Sequence, residues 1–94
     1  MLEPSATPRQ AERTATRVIE GEALVMVIDR RELHRLNEVG TRVFELCDGS
    51  SSVDAITQAI VREFEVSEAI ARADVERFLT QLVAAGAITL EARA

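Results

Sequence analysis

Apolar positions change period at Leu36. Before it they come in short runs of strand length; from Leu36 to Val83 they recur at three- and four-residue steps. Thr16 to Ile19 is β-branched around Val18 and Ile19, and Glu20-Gly21-Glu22 supplies a turn. Ala23-Leu24-Val25-Met26-Val27-Ile28 is a continuous apolar run between Gly21 and Asp29, as expected of a strand covered on both faces. Asp29-Arg30-Arg31 turns the chain, and Glu32-Leu33-His34-Arg35-Leu36 follows as a third, more polar segment. Short connections between three short segments predict an antiparallel meander with the third segment at an edge.

Three helices follow. Asn37 is a good N-cap for the first, which carries Leu36, Val39, Val43, Leu46 and Cys47 at helical spacing and stops at Asp48-Gly49. Ser51, with Asp54 three residues on, offers a capping box for a second helix whose stripe is Val53, Ile56, Ile60 and Phe64. The third helix is predicted over Ser67 to Gly86. Ser67 caps its start, Glu68 complements its dipole, and Gly86 suits a left-handed closing residue. Its apolar stripe is Ala71, Val75, Phe78, Leu79, Leu82 and Val83. Ala87-Ile88-Thr89-Leu90 then alternates like a short strand or wing. Residues 1–15 hold both prolines and few large apolar side chains, and read as a flexible tail ahead of a single domain over residues 16–94. The expected fold is α+β and winged helix-turn-helix-like: an N-terminal three-stranded antiparallel sheet, three helices and a short C-terminal strand.

Composition narrows the function. The chain has 94 residues, no Trp or Tyr and only Phe44, Phe64 and Phe78 as large rings, so its core must be aliphatic. The net charge of −5 is uneven: six Arg face six acids through Arg35, and five Arg face ten acids afterwards. An acidic domain is a poor partner for nucleic acid, whose affinity comes largely from Lys and Arg on phosphates. No apolar run is long enough to span a bilayer, and no signal peptide is visible, so the expected location is cytoplasmic and away from membranes.

Catalytic chemistry has little to work with. His34 and Cys47 are the only residues of their kinds and fall on different predicted elements. A surface or cross-strand role suits the lone imidazole, and a small buried hydrophobe suits the thiol. No phosphate loop or metal-ligand spacing is present, so neither catalysis nor a cofactor is expected. The second and third helices with the following strand have the order of a DNA-reading helix pair, and a transcriptional regulator is the alternative reading. The third helix carries Glu68, Asp74 and Glu76 against Arg72 and Arg77, which would repel phosphates. Recognition of an extended peptide fits better: an edge strand has unpaired backbone groups, and a helix beside it would complete a groove. A third reading is a dimerising regulatory module, a homodimer in which another chain covers the apolar second strand, and it is compatible with peptide recognition.

The residues also resemble a known family. Leu36-Asn37, the helix ending in Leu46-Cys47-Asp48-Gly49, the Val53 to Ile60 helix, and Asp74-Val75 with Phe78-Leu79 through Gly86 are similar to the PqqD family. The resemblance spans roughly residues 17–90, and its short motifs gain strength from their order. It implies a non-catalytic peptide chaperone of pyrroloquinoline quinone biosynthesis, or a precursor-recognition domain of another modified-peptide pathway. The leader peptide would bind as an added strand, and a radical S-adenosylmethionine (SAM) enzyme would receive it. Carried over by position, the contacts are Leu33, His34, Arg35 and Leu36 on the strand and Asp74, Arg77, Phe78 and Gln81 on the helix. Members of the quinone pathway often have a Pro-Glu-Gly-type turn before the third strand, where this chain has Asp29-Arg30-Arg31. That departure leaves room for a peptide of another pathway.

Overall fold

A computed structural model describes residues 2–91. The elements in order are β1 (Thr7–Gln10), β2 (Thr14–Ile19), β3 (Glu22–Val27), β4 (Glu32–Leu36), α1 (Glu38–Leu46), α2 (Val53–Phe64), α3 (Glu68–Ala84) and β5 (Ile88–Glu91). The three-stranded antiparallel sheet has the order β2-β3-β4, which is the expected meander. Glu20 and Gly21 both have positive φ, +51° and +80°, so they form the two-residue turn whose twist matches that of paired strands. A single 3-10 turn, Ile28–Arg30, leads into β4.

The apolar run of β3 is covered on one face only. Ala23, Val25 and Val27 enter the core, whereas Leu24 is half-buried and Met26 exposed. The helices pack under one side of the sheet and leave the other bare, which corrects the expectation of cover on both faces. The core joins Val25, Val43, Phe44, Ile56, Ile60, Val75 and Leu79, all buried. On α3, Ala71, Val75, Phe78, Leu79 and Leu82 are buried, but Val83 falls outside the stripe and is exposed.

Helix starts follow the side chains that can accept from orphan amides. Asn37 accepts from the Gly40 amide at 2.8 Å and Ser67 from the Ile70 amide at 3.2 Å, as expected. The second helix starts one residue late: Ser52, not Ser51, accepts from Ala55. The expected reciprocal box does not form, because the Asp54 carboxylate bonds Arg72 at 3.0 Å. The amides of Val53 and Asp54 bond the carbonyls of Ala6 and Pro4 instead.

Those carbonyls overturn the expected tail. Ala6, Thr7 and Pro8 are buried, and β1 pairs antiparallel with β5 from Thr7↔Glu91 to Gln10↔Ile88. Gln10 also donates its backbone amide to the Cys47 carbonyl at 3.0 Å and its side-chain amide to the Phe44 carbonyl at 2.9 Å. The segment thus serves the C-terminal end of α1 and the first turn of α2 together. It supplies partners for the Cys47 carbonyl and the Val53 and Asp54 amides, and a second donor for the Phe44 carbonyl, which already accepts from the Cys47 amide. The strand expected as a wing is β5, held against β1.

Candidate functional site

β4 is an edge strand, and the hairpin before it decides which backbone groups are free. The tight turn makes Ile19 and Glu22 a hydrogen-bonded pair, and such pairs recur every second residue. The bond from the Ile28 amide to the Arg13 carbonyl at 3.0 Å lies on the same alternation. Glu22, Leu24 and Met26 therefore bond toward β2, and Ala23, Val25 and Val27 bond toward β4. Their partners are Leu36, His34 and Glu32. Leu33 and Arg35 are left with N–H and C=O aimed outward.

The ladder end at Leu36 is closed by a hydroxyl. Thr41 Oγ1 accepts from the Ala23 amide at 2.8 Å and donates to the Leu36 carbonyl at 3.3 Å. Both groups are buried, so Thr41 satisfies a donor and an acceptor that would be costly to strand.

α3 is tied to this edge from both ends. Arg30, just before β4, donates from Nη1 to the Ala84 carbonyl at 2.6 Å and puts its charge at the negative end of α3. Beyond the other end of β4, the Phe78 ring lies on Gly40, where a Cβ would stand only 2.6 Å from Cε1. Asp74, Phe78 and Gln81 follow one flank of α3, the flank that meets Gly40, with Arg77 at its outer rim. Arg30 and Gly40 were not anticipated as part of this arrangement, nor was Thr41.

The expected contact residues divide by exposure. Leu33 is 57% exposed, and Arg35 is exposed with Nη2 bound to Glu22 Oε1 at 2.7 Å. Both side chains lie on the bare face of the sheet beside Leu24 and Met26. His34 faces the helix side, half-buried, with Nε2 at 3.1 Å from Glu32 Oε1. Arg77 and Gln81 are exposed; Arg77 Nη2 bonds Asp74 at 3.3 Å and the guanidinium stacks 5.0 Å from the Phe78 ring centre. Leu36 and Phe78 are buried at 6% and 7% exposure. Their side chains are committed to the core and are not free surface contacts.

Cys47 is buried with its thiol donating to the Val43 carbonyl at 3.2 Å, and burial pushes its pKa up to about 12. It is packing, not a nucleophile at neutral pH. Among the described residues no group of His, Cys, Asp and Glu is arranged to hold a metal ion, and no helix is long and apolar enough to cross a membrane.

Residues 22–88 match the family model for coenzyme PQQ synthesis protein D (PqqD). The chain belongs to the PqqD family. The match begins at β3 and ends at the first residue of β5, so it contains β4, α3 and the Arg30–Ala84 and Gly40–Phe78 contacts that flank β4. No curated protein matches the sequence. Among solved structures, TbiB1 in complex with the TbiA(beta) leader peptide has the same fold, with a TM-score of 0.77 at 22% identity over 92% of this chain and 98% of that one. The heterocyclase TruD contains the fold as well, with a TM-score of 0.64 at 15% identity over 90% of this chain and 11% of that one. The PqqD fold thus fills nearly all of one neighbour and a small part of the other.

Proposed function

We propose that this PqqD-family chain is a non-catalytic recognition domain for the leader segment of a ribosomally made precursor peptide. The leader adds to β4 as a fourth strand of the sheet and lies between that edge and α3. The observation that carries the reading is the pair of outward backbone sites at Leu33 and Arg35, next to a helix flank tied to the same edge. Main-chain bonds supply affinity in such strand addition, and neighbouring side chains supply selectivity. Leu33, His34, Arg35, Asp74, Arg77 and Gln81 are the proposed selective contacts, over a floor of Leu36 and Phe78. That TbiB1 is known in complex with a leader peptide supports this use of the fold.

The domain then presents the peptide to a modifying enzyme in the cytoplasm. A radical SAM enzyme is the proposed recipient, and pyrroloquinoline quinone biosynthesis is one pathway in which it would act. DNA reading is the poorer account. Arg72 is held by Asp54 and Glu68 at 3.0 Å each and Arg77 by Asp74, so both basic residues of α3 are already neutralised.

Calorimetric titration with leader peptides encoded beside the gene tests the proposal. Wild type should bind at least one, and Leu33→Pro should abolish that binding, because it deletes an outward N–H that β3 does not use. Undiminished binding by a folded Leu33→Pro variant would overturn strand addition at β4.

A further inference from the structure

Side chains on the bare face of the sheet stand in rows across the strands, and the rows run out to the open edge of β4. Ala15, Met26 and Leu33 make one row, all three exposed. Arg17, Leu24 and Arg35 make the next. A strand added to β4 lengthens each row by one residue, because directly opposed residues put their side chains on the same face. Beside Leu33 the newcomer meets an apolar side chain with Met26 behind it. Beside Arg35 it meets a charge.

That edge is positive on a chain whose net charge is −5. Arg35 bonds Glu22 Oε1 through Nε and Nη2, at 3.1 and 2.7 Å, and among the described residues its Nη1 has no partner. The side chain is 76% exposed. Exposed ion pairs are weak, so Glu22 does not bar a second carboxylate from Arg35. Arg31, in the turn just before β4, is exposed as well, and its near neighbour Asp29 is held by Arg13. Glu20 and Glu22, which line a cleft with Ile19, Leu24 and Arg35, stand farther back, in the hairpin turn and on β3. Each strand sets a group back by about 4.8 Å, so Arg35 is the first charge of this face that an added strand meets. Glu32 lies on the helix side, against His34.

We propose that the leader is acidic where it pairs with β4, with an apolar residue opposite Leu33 and an Asp or Glu two residues away, opposite Arg35. Both side chains lie on the bare face, and the residue between them turns to the helix side beside His34. Arg31 adds to the same preference, and a Lys or Arg opposite Arg35 would set like charges face to face. This inference rests on strand addition at β4 and specifies the peptide class that the edge selects.

A Lys, Glu and Ala scan of the leader peptide encoded beside the gene, titrated calorimetrically into wild type and Arg35→Glu, tests it. In wild type, Lys in place of one acid should weaken binding by about three-fold or more, and added salt should shrink that difference. Two residues away, Ala in place of an apolar residue should weaken binding at any salt concentration. In Arg35→Glu the first preference should reverse, the Lys peptide binding tighter than the Glu peptide, while the apolar position keeps its effect. A peptide that slows exchange of the Leu33 and Arg35 amides yet shows no such acid position would overturn the proposal. So would an Arg35→Glu variant with the wild-type preference. Either result leaves strand addition standing, whereas a bound peptide that leaves those two amides unprotected would overturn both.

Discussion

Phe78 packs against Gly40 because Gly40 has no side chain: a Cβ there would lie 2.6 Å from ring atom Cε1 and 2.9 Å from Cδ1. Phe78 is buried in the core, so its ring has little freedom to retreat. Gly40→Ala should therefore destabilise the fold by about 1–3 kcal/mol through overpacking. Urea unfolding measures it, and Phe78→Leu in the same chain should recover part of the loss. The two residues fix α3 against the start of α1, so the single variant should also weaken peptide binding.

Deleting residues 1–11 should cost far more than the loss of a tail. It removes β1 and the bonds Gln10 makes to Phe44 and Cys47, and strips the Val53 and Asp54 amides of their acceptors. At about 1 kcal/mol for each hydrogen bond lost, the deletion should remove more than about 3 kcal/mol. Thermal unfolding followed by circular dichroism reports it. An unchanged midpoint would contradict the role given to this segment.

Glu20 occupies the first turn position of the β2–β3 hairpin at φ +51°, where a side chain is unfavourable and Asn is tolerated. Glu20→Asn should stabilise the protein by about 1 kcal/mol. The gain should appear as a higher urea midpoint with an unchanged slope.

Cys47 should resist thiol reagents in the native state at pH 8 and react fully in denaturant. Burial raises its pKa from an ordinary value of 9.0 to about 12, with Asp48 adding to the shift. A raised thiol pKa stabilises the folded form below the unfolded value. That contribution is lost as pH climbs from about 9 toward 12, where only the unfolded thiol ionises. Reaction of the folded protein at the unfolded rate would contradict this account.

Much of this was legible in the sequence because the relevant forces are local. Asn37 and Ser67 are legible as caps because each is a capping residue standing at the start of a helical stripe, and the Glu20-Gly21 turn follows from its place between a β-branched segment and a continuous apolar run. β1 was missed because its work is done by backbone groups. Ala6, Thr7 and Pro8 leave no hydrophobic signature, and their value depends on helix ends far along the chain. The Ser51 capping box failed for the same reason, since Pro4 and Ala6 took the amides and Arg72 took the Asp54 carboxylate. At the candidate site, the polar composition of β4 marked it as an edge. Local sequence could not bring Arg30 to Ala84 or Gly40 to Phe78, which are matters of tertiary packing. Periodicity does put Leu36 and Phe78 among the apolar stripes, and both are buried; only the family resemblance names them as contacts beside the exposed Leu33 and Arg77.

The central claim is strand addition at β4, and amide exchange of single residues with and without a leader peptide tests it most directly. Leu33 and Arg35 have outward amides, while those of Glu32, His34 and Leu36 face β3. The account predicts that peptide slows exchange at Leu33 and Arg35 by an order of magnitude or more, with the Thr14, Thr16 and Val18 amides of β2 unaffected by it. Binding that leaves Leu33 and Arg35 exchanging as in the free protein would contradict it.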